Sequence, residues 1–253
     1  MEVVIYIYIF FIGMTLGSFY NVVGIRMPKR QSIVRPRSYC SVCKRTLHPI
    51  ELIPVFSYIF LRAKCNTCGT KISLIYPCIE LLTGVLFVIA YLHFGFSSEL
   101  IIALLFVSLL MIITVSDLTS YLILDKVLLT FIVPIIILRF TIAPLEPFWD
   151  ALAGSLVGFG LLFLIAVVSK GGMGGGDIKL YAVIGLVLGL TNTLLSIFLS
   201  SFIGAFIGLI GMVVKKWGRK KILPFGPSIV AGSLIAYFYG EELLTYYFQL
   251  FLF

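Results

Sequence analysis

The chain has 253 residues, of which 60% are hydrophobic and only 12% charged, and its mean hydropathy is +1.13. An ordinary soluble domain carries about 25% charged residues, so this composition excludes a soluble globular protein, a disordered chain and a nucleic-acid-binding module. Long apolar runs, in place of alternation, also exclude an outer-membrane barrel and predict an all-α polytopic membrane protein set in a lipid bilayer.

In chain order, the uncharged runs give the spans. Val3 to Ile25 is clean, Ile72 to Ser98 is broken only by Glu80, and Leu100 to Ser116 stops at Asp117. Each can cross a bilayer core of about 30 Å. Val127 to Ala143 contains Arg139 near its far end, where a long side chain is expected to snorkel. Ala151 to Ser169 and Ile222 to Gly240 are uncharged. Leu180 to Val214 is 35 residues long. As one helix it would measure about 52 Å, so it is expected to be two spans that turn at Thr191 to Thr193. The total is about eight.

Orientation supports that count. With eight spans, the loops holding Arg26 to Lys71, Asp117 to Lys126, Lys170 to Lys179 and Lys215 to Lys221 share one side and carry 18 of the 19 Lys and Arg residues. That side is predicted to be cytoplasmic, with the amino terminus outside. The first apolar run has no basic residue before it and no small-residue cleavage site after it, so no cleavable signal is expected.

The longest polar stretch, 26–71, holds Cys40-Ser-Val-Cys43, then 21 residues, then Cys65-Asn-Thr-Cys68. Two CxxC turns at this separation predict a four-cysteine structural zinc site, the alternative being four free thiols. A loop this small needs the metal for its folding free energy. Cys78, the odd fifth cysteine, is expected to pack inside the second span.

Ionisable groups at membrane depth are costly and are candidates for function. Asp117 ends the third span, and Asp177 begins the sixth within Gly171-Gly172-Met173-Gly174-Gly175-Gly176-Asp177-Ile178-Lys179. The predicted topology puts both carboxylates on the cytoplasmic face, where a pair sharing one proton can divide the work of general base and general acid on a peptide bond. Alone, the glycine-rich loop also reads as a flexible interhelical turn, and it lacks the ending of a P-loop. Asp125 is expected to cap the fourth span. His48 and His93 suggest no ligand pair, while Gly154-x-x-x-Gly158 and Gly204-x-x-x-Gly208 suggest close helix packing. Trp149 and Trp217 suit the membrane interface.

With these residues in view, the chain resembles the bacterial type IV prepilin peptidases. Gly174-Gly175-Gly176-Asp177-Ile178-Lys179 matches their GxGD-x-K motif, and Asp117 stands where their other aspartate ends an earlier span. The likeness extends to Gly17-Ser18-Phe19-Tyr20-Asn21, Arg26, Pro28, both CxxC turns, Ile53-Pro54, Tyr76-Pro77 and Glu80-Leu81-Leu82. It departs at Ala63, where the family has a glycine tied to methylation, at Ser41, and at the leucines of Tyr121 to Asp125, where relatives have proline. The resemblance implies a bifunctional enzyme. It would cut the basic leader of prepilins or pseudopilins after a glycine, with Asp117 and Asp177 catalytic and Gly174, Gly176 and Lys179 in the active-site loop. It would then methylate the new amino terminus with S-adenosylmethionine, with Arg62 and Lys64 linked to that step and Cys40, Cys43, Cys65 and Cys68 on zinc. Residues 1–98 would form the methyltransferase part and 99–253 the peptidase part. The rival reading is a proton- or cation-coupled transporter or an assembly scaffold, for which more acids deep in the spans would be expected. Glu80 is the only other acid inside one.

Overall fold

Apolar runs that meet hydrocarbon must satisfy their backbone polar groups internally, and helices do so. The computed structural model describes residues 2–170, 172–214 and 224–252, and among them the chain is all-helical with no strand. The helices are α1 (Glu2–Arg26), α2 (Phe56–Phe60), α3 (Ile75–Phe94), α4 (Ser98–Ser120), α5 (Asp125–Thr141), α6 (Asp150–Val168), α7 (Gly175–Val214) and α8 (Gly226–Leu252). Five of them, α1, α3, α4, α6 and α7, are long and apolar enough to cross a membrane. Gly171 and the basic cluster Lys215 to Lys221, with Trp217, lie outside the described residues. The chain divides into two compact units, Met1–Ser120 and Tyr121–Phe253.

In the first unit, missing side chains let α1 lie directly on its neighbours. A Cβ on Gly13 would stand 2.8 Å from Gly84 Cα of α3, and one on Gly17 would stand 2.9 Å from Glu80 Cα. Further along, Gly24 meets Val115 of α4, and the Tyr20 hydroxyl bonds the Ser108 hydroxyl at 2.6 Å. Small residues at such crossings bring backbones close where hydrophobic burial alone cannot distinguish protein from lipid. Helix α4 is core along most of its length, with Ile102, Phe106, Leu110 and Ile113 wholly enclosed. Cys78 is not in the core as expected. It is exposed on α3, on a different face from the buried Ile79 and Glu80.

The second unit is built on the α6–α7 crossing. Gly154 and Gly158 of α6 fit against Gly185, Gly189 and Tyr181 of α7 so closely that a Cβ on either would collide with backbone. This is the packing expected of that glycine pair. The long run does break, but at Gly189 instead of at Thr191 to Thr193. Gly189 adopts φ 72° and ψ −178°, and Asp150 Oδ1 accepts the Leu190 N–H at 3.1 Å, as a cap would. Only glycine adopts that backbone without strain, and the carboxylate replaces the lost helical acceptor. Arg139 does not snorkel. It is buried, and its guanidinium donates to the Ala143 carbonyl at 3.1 Å and the Val187 carbonyl at 2.6 Å, acceptors that end α5 and line α7.

Candidate active site and metal centre

Each CxxC sequence folds into the same small hairpin. Cys40 N–H donates to the Arg45 carbonyl and Lys44 N–H to the Cys40 carbonyl, and Cys65 N–H to Thr70 with Gly69 N–H to Cys65 repeats the pattern. Isolated antiparallel bridges, Tyr39 with Thr46 and Lys64 with Lys71, close the two in the same way. The residue after the second cysteine is left-handed in both, Lys44 at φ 58° and Gly69 at φ 68°. Glycine accepts that conformation freely, whereas a lysine there bears roughly 1 kcal/mol.

The two hairpins present their sulfurs crosswise. Cys40 Sγ is 3.7 Å from Cys68 Sγ, Cys43 Sγ is 4.0 Å from Cys65 Sγ, and all four lie within 4.8 Å of one another. Thiolates held about 2.3 Å from a tetrahedral zinc ion are about 3.8 Å apart, so this donor set fits zinc. The thiols are electrostatically unequal. The Thr70 hydroxyl and backbone N–H draw Cys68 down to about 6, and the backbone N–H groups of Cys68 and Thr67 lower Cys65. The Arg45 backbone N–H would lower Cys43 too, but burial and the three neighbouring sulfurs outweigh it and push that thiol up to about 11. Four thiolates this close repel one another, and a divalent cation is what lets all four ionise. Beside them, Glu51 accepts from Arg45 at 2.7 Å and from the His48 N–H at 2.8 Å, and the guanidinium first of all holds its carboxyl below the usual range.

Asp117 is buried near the end of α4, after the enclosed Ser116, in the first unit. Asp177 is half-buried in the first turn of α7, in the second unit, with its N–H on the Gly174 carbonyl at 3.1 Å. The glycines around it have separate reasons. A Cβ on Gly174 would stand 3.0 Å from Asp177 Oδ2, and one on Gly176 would stand 2.7 Å from Ile123 Cβ, while Gly175 has open space. Packing therefore calls for a glycine at 176, while a Cβ at 174 would crowd the Asp177 carboxylate. Asp125 is not a cap: Leu124 holds that position, and Asp125 receives the Lys179 ammonium on both carboxylate oxygens at 2.9 and 2.8 Å. The pair ties the 121–125 segment to α7 above the glycine turn. The sequence carried no sign of it beyond opposite charges on one predicted face.

Arg62 and Lys64 are exposed, and Arg62 and Ala63 are both left-handed, at φ 50° and 58°. A glycine at position 63, which the family resemblance implies, would suit that backbone. Neither Arg62 nor Lys64 lines the open cavity of about 610 Å³ in the first unit, although their neighbours Leu61 and Cys65 do. The cavity runs from α1 past the cysteine hairpins to the start of α3, reaching Tyr39, Tyr58, Tyr76 and Glu80. Sequence reasoning had not assembled it.

Two family descriptions match the chain: the Bacterial Peptidase A24 N-terminal domain over residues 11–94 and the Type IV leader peptidase family over residues 104–209. Relatives named prepilin leader peptidase/N-methyltransferase include one from Bacillus subtilis (strain 168), 43% identical across 96% of this chain and 97% of its own. Others come from Myxococcus xanthus (strain DK1622), 40% identical over 72% of this chain and 56% of its own, and Neisseria gonorrhoeae, 31% identical over 89% and 87%. No solved structure matches. Two family matches in order along the chain, and a relative aligned nearly end to end, lead to one conclusion: this all-helical membrane protein belongs to the type IV leader peptidase family.

Proposed function

We propose that the chain is a membrane aspartic endopeptidase that removes the leader of prepilins or pseudopilins and then methylates the exposed amino terminus. In this reading α7 counts as two spans about Gly189, α5 and α8 also cross, and the eight spans put Asp117 and Asp177 at the cytoplasmic face. One aspartate takes a proton from water as its oxygen attacks the scissile carbonyl carbon. The other gives a proton to the departing nitrogen as the C–N bond breaks. The two carboxylates are inequivalent from the start, since Asp177 lies in the first turn of its helix and Asp117 in the last turn of its own.

The observation that carries this reading is the turn around Asp177, where Gly174 makes room for the carboxylate and Gly176 makes room for Ile123. A small residue before the cut would fit against 172–176, and the apolar helix of the substrate would lie in the bilayer. Replacing the glycine before the cut with a bulky residue should then block cleavage, whereas removing one leader lysine should have a milder effect. A cleavage time course on both substrates in liposomes tests this, and equal rates for the bulky variant and the parent would refute it.

Methyl transfer is assigned to residues 1–98 and cleavage to 99–253. Zinc on Cys40, Cys43, Cys65 and Cys68 would fix the two hairpins that wall the cavity. S-adenosylmethionine, when bound, supplies an electrophilic methyl group. The residues present fit it: Tyr58 and Tyr76 bring aromatic surface to the lining for a sulfonium cation and an adenine, and Glu51 brings a carboxylate for hydroxyl groups.

A further inference from the structure

The lining of the first unit's cavity includes two buried polar groups that the peptidase chemistry does not use. Glu80, on a membrane-length helix, is only 7% exposed. A buried acid within such a helix is a candidate for function. Its Oε2 accepts the Val55 N–H at 2.8 Å, and Ser18 lines the cavity beside it. Val55 reaches it from a strained backbone, φ 62° and ψ −51°, an outlier for a β-branched residue. An ionised carboxylate offers about four lone-pair sites, so acceptor capacity remains on Glu80 after the Val55 N–H.

Asn21 faces the same cavity from α1 and is 1% exposed. Its amide nitrogen donates to the Tyr76 carbonyl at 3.2 Å, which fixes the amide's orientation, and Tyr76 is one turn before Glu80 on α3. Its Oδ1 finds no donor among the described residues. A buried acceptor left unpaired costs about 1–3 kcal/mol. The cavity lining thus holds a carboxylate with acceptor capacity to spare and an enclosed amide oxygen without a donor among the described residues, and asks for a ligand with several N–H donors and positive charge.

We propose that this cavity binds a primary ammonium between Glu80 and Asn21, and that the ammonium is the amino terminus a pilin gains when its leader is cut. The inference rests on the methyl-transfer reading above and gives it an acceptor subsite. One N–H of the ammonium goes to Glu80 and one to Asn21 Oδ1. Glu80 then takes a proton, and the nitrogen lone pair forms the new N–C bond as the C–S bond of the methyl donor breaks with its electrons leaving on sulfur. The product is a methylammonium, and the proton on Glu80 returns to water.

The amino-acid head of the methyl donor is also a primary ammonium, so the test separates the two sources. Full-length protein in detergent is titrated with a mature-pilin amino-terminal peptide, with the same peptide acetylated at its amine, and with S-adenosylhomocysteine. The free amine should bind about tenfold or more tighter than the acetylated form, as one charged hydrogen bond implies. Glu80→Gln and Asn21→Leu should each erase that preference, Glu80→Asp should restore part of it, and affinity for S-adenosylhomocysteine should hold. Unchanged zinc content reports that the variants are folded. Equal binding of free and acetylated peptide to the parent protein overturns the proposal. Variants that weaken S-adenosylhomocysteine while keeping the peptide preference overturn it as well. Selective amine binding in a protein that never methylates would sink the methyl-transfer reading and leave the amine site standing, whereas methylation without amine selectivity would do the reverse.

Discussion

The cysteine hairpins and the Gly174 to Asp177 turn are both short polar segments at helix ends, held by opposite means. The hairpins have little apolar burial, since among their cysteines only Cys65 is buried, and their shape converges on a space that fits one cation. The glycine turn is shaped by what is missing, with Asp177 Oδ2 and Ile123 standing where side chains would be. The first region is therefore conditional on a ligand and the second on close packing. Damage to one should spare the other.

The largest expected effect is on the aspartates. Asp117→Asn and Asp177→Asn should each lower leader cleavage by about 10²–10⁴, with zinc still bound. Loss in Asp125→Asn alone would move the partner role there. Next come the glycines. Gly176→Ala forces a shift against Ile123 and should cost on the order of 10² in cleavage rate. Gly174→Ala, with a 3.0 Å contact to Asp177, should cost less, and Gly175→Ala should cost almost nothing. Equal losses at all three glycines would show that the turn needs flexibility and not space.

On the metal side, Cys→Ser at Cys40, Cys43, Cys65 or Cys68 should release zinc and reduce methylation more than cleavage, as metal analysis beside both assays would show. Breaking the exposed Lys179–Asp125 pair with Lys179→Met should change stability by at most about 1 kcal/mol, while cleavage falls measurably if the pair holds the 121–125 segment in register. The smallest effect is expected from Ala63→Gly, which removes a left-handed alanine and should stabilise the loop by about 1 kcal/mol. Thermal unfolding of the zinc-loaded protein would record it.

What the sequence revealed was local. Five membrane-length helices follow from run length, the CxxC turns from spacing, and the close α6–α7 crossing from Gly154 and Gly158. Features set by distant partners were not legible. The break came at Gly189 because Asp150, on another helix, supplies the cap for Leu190. Arg139 turned inward because carbonyls at Ala143 and Val187 outweigh a path to water. Asp125 read as a cap because its partner Lys179 lies 54 residues on. The Glu80–Asn21 cavity depends on the packing of α1 against α3, which no single run discloses.

The most direct test of the account is mass spectrometry of one model pilin incubated in membranes with the parent protein, Asp177→Asn and Cys65→Ser, reading leader removal and the methyl group together. The account predicts a cut and methylated product from the parent, uncut prepilin from Asp177→Asn, and a cut product with little methyl from Cys65→Ser. Abundant cut pilin from Asp177→Asn, or parallel loss of cutting and methylation in Cys65→Ser, would contradict it.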